Sequence, residues 1–298
     1  MNKRSFNKSL FRLLLVCVGL FGLHHGILSQ SPAPAPLPAN VSDHELDSKL
    51  MTRPMPYRVV LPKSYSAEKG RKYPVIYLLH GLTGRFRNWT DLTKLPAYAE
   101  GHEFIIVTPE GANGWYTDSY TKPEEKYESY IIKELIPEVE KKYRAIGTRS
   151  GRAIAGLSMG GYGALKFGLK YPEMFSLAGS FSGALGAASI SADGRSTASI
   201  RSIAEVFGPA DSETRAANDI FKMVREATPE KVKAMPFIYV DCGNEDFLIQ
   251  NNRDFVALLA EKKVPHEYRQ LPGAHNWPYW DKQVREFLRV AEGFLTTK

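Results

Sequence analysis

The chain has 298 residues, 43% of them hydrophobic and 24% charged, a composition that belongs to folded globular proteins and excludes wholesale disorder. That length accommodates one large α/β domain with a substantial core. The formal charge of +7 comes from scattered rather than clustered basic residues, so no nucleic-acid footprint is expected.

In chain order, Lys3, Arg4, Lys8 and Arg12 open a segment without Asp or Glu that runs apolar from Leu13 to Leu23. A basic start before a short apolar run reads as a secretory signal within residues 1–30, with a retained N-terminal anchor, and hence membrane association, as the alternative. A secreted or periplasmic location is expected. If Cys17 leaves with the signal, Cys242 is alone, so no internal disulfide and no CxxC metal or redox site is possible. The Pro/Ala tract SPAPAPLPA predicts an extended linker over residues 31–50, with the folded domain at 51–298.

From there, apolar runs alternate with helical patterns. Strands are expected within 57–62, 73–81, 104–111, 152–160, 174–183, 236–243 and 266–273, and helices within 126–144 and 252–264. Nearly all-apolar strands separated by helices predict an α/β fold whose mostly parallel sheet is covered on both faces. The stretch 184–234, rich in small and polar residues before turning helical, reads as an insertion over the C-terminal edge of the sheet.

Residues 156–168, GLSMGGYGALKFG, place one serine among five glycines. Gly156-Leu157-Ser158-Met159-Gly160 fits G-x-S-x-G, with an apolar run before it and a helix-compatible run after it. That context marks a nucleophile elbow, in which small flanking residues let a serine stand exposed on strained backbone. Ser158 is the candidate nucleophile. A serine hydroxyl needs a base to take its proton and a carboxylate to orient the base. Only His266 and His275 follow Ser158, and His275, in a loop just beyond the last strand, is the better placed. The acid belongs in the loop after the preceding strand, where Asp246 lies beyond the Gly243 turn, Asp241 is the second choice and Glu245 a surface residue. Backbone N–H donors for a developing oxyanion are expected at Met159, after the nucleophile, and at Leu82, in the HG turn of LLHGLTG. His80 reads as a loop brace rather than a base. Trp115 and Trp277, with Tyr116 and Trp280 beside them, are candidates for stacking on a sugar or aromatic acyl group.

Four segments, YLLHGLTG at 77–84, IAGLSMGGYGALK at 154–166, CGNEDFLIQNNRDF at 242–255 and LPGAHNWPYWD at 271–281, resemble the esterase D-like esterase family. That family includes S-formylglutathione hydrolases, tributyrin, feruloyl and acetylxylan esterases, and mycolyltransferases. The likeness covers roughly residues 55–290. It implies an α/β-hydrolase fold with Ser158, Asp246 and His275 as catalytic triad, Leu82 and Met159 as oxyanion donors, and no metal or cofactor. It also implies a serine esterase acting on a small ester or acylated carbohydrate, and the N-terminal pattern adds the expectation that it is exported. Acyl transfer and S-formylglutathione hydrolysis are the alternatives within the family.

Overall fold

The computed structural model describes residues 36–190 and 197–295. Its centre is an eight-stranded sheet: β1 (Val41–Ser48), β2 (Arg53–Val60), β3 (Val75–Leu79), β4 (Ile105–Pro109), β5 (Arg152–Leu157), β6 (Leu177–Phe181), β7 (Phe237–Gly243) and β8 (His266–Leu271). The spatial order is β1-β2-β4-β3-β5-β6-β7-β8. β1 and β2 pair antiparallel, as do β2 and β4, and every other neighbour is parallel. A parallel strand needs a crossover connection, and helices supply it on both faces.

The sequence explains which strands are central. β3, β4 and β6 are buried along their whole length, and their apolar residues have no polar face to offer water. Alternation then divides the core in two: Val75, Tyr77 and Leu79 face one hydrophobic cluster, and Ile76 and Leu78 face the other. The first cluster is closed by a helical run through 127–142 and by the helix Met159–Lys170. The second is closed by Trp89 and by Val284, Phe287 and Leu288 of the helix Trp277–Glu292. Truncating a buried aromatic such as Phe287 to alanine costs about 3–5 kcal/mol.

The expected linker at 31–50 is corrected at its C-terminal end. Residues 41–48 form β1, which pairs along its length with β2. VSDHELDS alternates buried or half-buried residues with exposed ones, and this polar edge strand resembled a tether in composition alone. The expected signal or anchor at 1–30 lies outside the described residues.

Among its described residues, the segment after β6 carries a short 3-10 turn at Ala187–Ser189 and the α-helices Ala198–Phe207, Glu213–Asn218, Ile220–Arg225 and Pro229–Ala234. Ile203, Val206, Phe207, Ile220 and Val224 sink into the first cluster, so this segment is part of the core as well as a cover. Helices at 198, 213, 220 and 229 each start at a capping Thr, Ser or Asp whose side chain accepts a backbone N–H.

Candidate active site

Ser158 stands between β5 and the helix Met159–Lys170 with φ at 53°, in the left-handed region that costs a non-glycine residue about 1–3 kcal/mol. The strain is held by a tight fit. A Cβ at Gly156 would lie 2.5 Å from the Gly160 carbonyl group, and one at Gly160 would lie 2.5 Å from the Leu79 oxygen. Both flanking positions therefore admit only glycine. The Ser158 N–H donates to the Phe181 oxygen at 2.9 Å, and its own carbonyl accepts the N–H groups of Tyr162 and Ala184, both at 3.1 Å. The residue is fixed from both sides while its side chain stays partly open to solvent.

The ends of β7 and β8 bring the partners. His275 Nε2 lies 3.0 Å from Ser158 Oγ, and His275 Nδ1 lies 2.9 Å from Asp246 Oδ2. With Asp246 ionised, Nδ1 carries the proton and donates it to the carboxylate, and Nε2 is left to accept the serine hydroxyl proton. The loops carrying acid and base are tied together: Asn244 N–H donates to the Leu271 oxygen and Glu245 N–H to the Gly273 oxygen, each at 2.9 Å. Asn276 caps the helix that follows His275 by accepting the Tyr279 N–H at 3.1 Å.

The choice between the two aspartates is electrostatic. Asp246 is buried, which alone would raise its pKa. Hydrogen bonds from His275 and the Leu248 N–H outweigh burial and hold it below the usual carboxylate value. Asp241 is fully enclosed in β7, and burial pushes its carboxyl well above the usual range despite the nearby Tyr279 and Tyr239 hydroxyls. Burial penalises the charged form that would be needed to balance an imidazolium. Glu245 is exposed, and His266 is used structurally, its Nδ1 lying 2.8 Å from the Val264 oxygen. Cys242, beside Asp241, is buried, and its thiol is pushed up to about 12.

Met159 opens its helix, so its N–H has no intrahelical acceptor, whereas its side chain is fully buried in the first cluster. Leu82 lies in the turn after β3 and packs partly against the same cluster. Among the described residues, its N–H has no acceptor.

One tryptophan expectation is corrected. Trp115 is a core residue, edge-on to Tyr162 and tilted against Phe207, and its Nε1 donates to Ser202 Oγ at 3.0 Å. Its glycine-rich loop is anchored by Lys166, whose buried ammonium donates to the Tyr116 oxygen, Thr117 Oγ1 and Glu128 Oε2. Such anchoring draws aromatic side chains inward. Trp277 is half-buried and set edge-on to Trp89 and Trp280; Trp280 is the tryptophan whose ring meets the imidazole, with centroids 4.9 Å apart. The aromatic missed from the sequence is Phe247, 77% exposed, with its ring 4.6 Å from that of His275. Its position directly after the acid was the available signal.

Residues 48–289 match the family described as Putative esterase. The chain belongs to that esterase family. It is 31% identical over 247 residues to an acetyl esterase of Caldicellulosiruptor saccharolyticus, covering 80% of this chain and 92% of that protein. Among solved structures, a ferulic acid esterase superposes with a TM-score of 0.74 at 34% identity, covering 86% of this chain and 98% of the other. A fluorophosphonate-binding serine hydrolase of Staphylococcus aureus superposes with a TM-score of 0.76 at 25% identity, covering 84% and 97%. The esterase therefore has the α/β-hydrolase fold and is a carboxylic ester hydrolase.

Proposed function

We propose that the esterase works through a Ser158-His275-Asp246 triad on short-acyl or carbohydrate-linked acetyl and feruloyl esters, and that it acts after export. The observation that carries the triad is the pair of contacts at His275, 3.0 Å to the serine oxygen and 2.9 Å to the carboxylate, built on a strained serine. Ser158 Oγ attacks the ester carbonyl as its proton passes to His275 Nε2. The carbonyl oxygen takes up the negative charge and is met by the N–H groups of Leu82 and Met159. Losing one such donor typically costs about 2.7–4 kcal/mol. His275 returns the proton to the departing alcohol, leaving an acyl-serine. Water, deprotonated by the same imidazole, then releases the acid. Asp246 keeps the proton on Nδ1 and stabilises the imidazolium.

Acetyl and feruloyl groups are favoured by the relatives named for those activities. Export is favoured by the basic and then apolar pattern of residues 1–23. The deciding experiment is Ser158→Ala assayed on p-nitrophenyl acetate and with a fluorophosphonate probe. Turnover should fall by ~10⁴-fold or more and labelling should vanish; retained turnover and labelling would remove Ser158 from the chemistry. An ester panel from acetyl to octanoyl, with methyl ferulate and acetylated xylan, then fixes the acyl and alcohol preferences. Cell fractionation with N-terminal sequencing checks export.

A further inference from the structure

Three consecutive carbonyls at the end of β3 are each held by a side chain, two from elsewhere in the fold and the third from the same turn. The Leu79 oxygen accepts the Trp89 Nε1–H at 2.9 Å, the His80 oxygen accepts the Tyr116 hydroxyl at 2.9 Å, and the Gly81 oxygen lies 2.8 Å from His80 Nδ1. The Gly81 oxygen also accepts the Gly84 N–H at 3.0 Å, which closes a turn with Thr83 at positive φ. A carbonyl can only accept, so His80 Nδ1 carries a proton. Its other nitrogen, Nε2, lies 2.9 Å from the Gly111 nitrogen and 3.2 Å from Glu110 Oε1. The ring is held at both ends and is almost wholly buried.

The Gly81 carbonyl and the Leu82 N–H belong to one peptide unit. In a trans peptide these two groups point in opposite directions, so a donor that fixes the oxygen fixes where the N–H aims. No peptide in the described residues is cis. Gly81 lies against the nucleophile, since a Cβ built on it would be 3.3 Å from Ser158 Cβ. The Gly81–Leu82 peptide thus runs near the serine, and its N–H points away from the imidazole clamp.

We propose that His80 is a positioning residue which, through the Gly81 carbonyl, aims the Leu82 N–H at the charge that develops on the substrate oxygen. The inference rests on the reading of Leu82 as an oxyanion donor. It assigns to His80 a part in catalysis without contact with substrate.

The test compares three variants of the full chain: His80→Ala, which removes the donor; His80→Asn, whose amide N–H reaches the position of Nδ1; and His80→Gln, which reaches the position of Nε2 instead. On p-nitrophenyl acetate, His80→Ala and His80→Gln should lower kcat by about 10- to 100-fold with KM within about 2-fold, because the lost contact forms only as charge develops. Affinity for a boronic acid, which mimics the tetrahedral adduct, should weaken by a similar factor. His80→Asn should recover most of kcat and of boronate affinity. Unchanged kcat in His80→Ala, or equal losses in the Asn and Gln variants, would overturn the proposal. Thermal melting of each variant shows whether a loss follows the Tm rather than the donor, and a kcat that tracks Tm across the three would also overturn it. A wrong triad is detected separately, by activity that survives Ser158→Ala.

Discussion

Two polar clusters sit on the helix Met159–Lys170, one before its first turn and one about two turns along. Ser158, with His275 and Asp246, occupies the open end, and the His275 side chain keeps 18% of its surface exposed. Lys166 and Glu128, joined by Lys170 and Tyr171, occupy the sealed part. Burial and the opposing charge act in both, with different results. In the sealed cluster, burial would raise Glu128, but Lys166 and Lys170 hold it down at about 2, so the carboxylate stays ionised and the Trp115–Thr117 loop stays pinned. In the open cluster Asp246 is likewise held ionised, but its partner is an imidazole whose Nε2 lies 3.0 Å from the Ser158 hydroxyl and which, in the proposed function, becomes charged only on taking that proton. In that reading a charge paired at all times holds structure, whereas one that forms on demand does chemistry.

Four changes break or sharpen that contrast. Asp246→Asn should lower kcat on p-nitrophenyl acetate by ~10⁴-fold, since the amide no longer holds the proton on Nδ1, with little change in melting temperature. Lys166→Met should do the opposite. Glu128 would be left buried with weaker compensation, at a cost of about 3–5 kcal/mol read by urea unfolding, while kcat measured well below the Tm stays within a few-fold.

Asp241→Asn tests the second carboxyl. Its folded pKa lies above the unfolded value of 3.8, so its contribution favours folding fully below that value and is lost as pH rises towards the folded pKa. Between those limits the wild type should lose up to about 1.4 kcal/mol per pH unit from this group. The Asn variant should show a flatter stability profile from pH 4 upward, with kcat nearly unchanged, and a kcat collapse like that of Asp246→Asn would reassign the acid. The smallest effect belongs to Phe247→Ala. An exposed ring should cost under about 0.5 kcal/mol of stability, and its removal should be read instead as a change in KM across an ester panel.

The contrast also explains what could be read from the sequence. β3 to β7 announce themselves because central strands covered on both faces must be largely apolar. β1 does not, because an edge strand with one wet face is as polar as a tether, and its pairing with β2 is a non-local fact. Ser158, Asp246 and His275 were legible for a different reason: strand-end positions in a fixed chain order constrain which residues can meet. Trp115 and Phe247 were not, since whether an aromatic in a loop turns inward depends on anchors such as Lys166 that lie far along the chain. The buried Lys166–Glu128 pair gave no motif at all, as the two residues come from separate helices and look like ordinary surface charges.

The backbone angle at Ser158 has an evolutionary consequence. Glycine is the one residue that would rest comfortably there, so Ser158→Gly should yield an inert protein that outlasts the enzyme on heating. Selection for durability and selection for turnover pull this codon in opposite directions. A library screened for heat resistance alone should therefore drift towards catalytic death at that site.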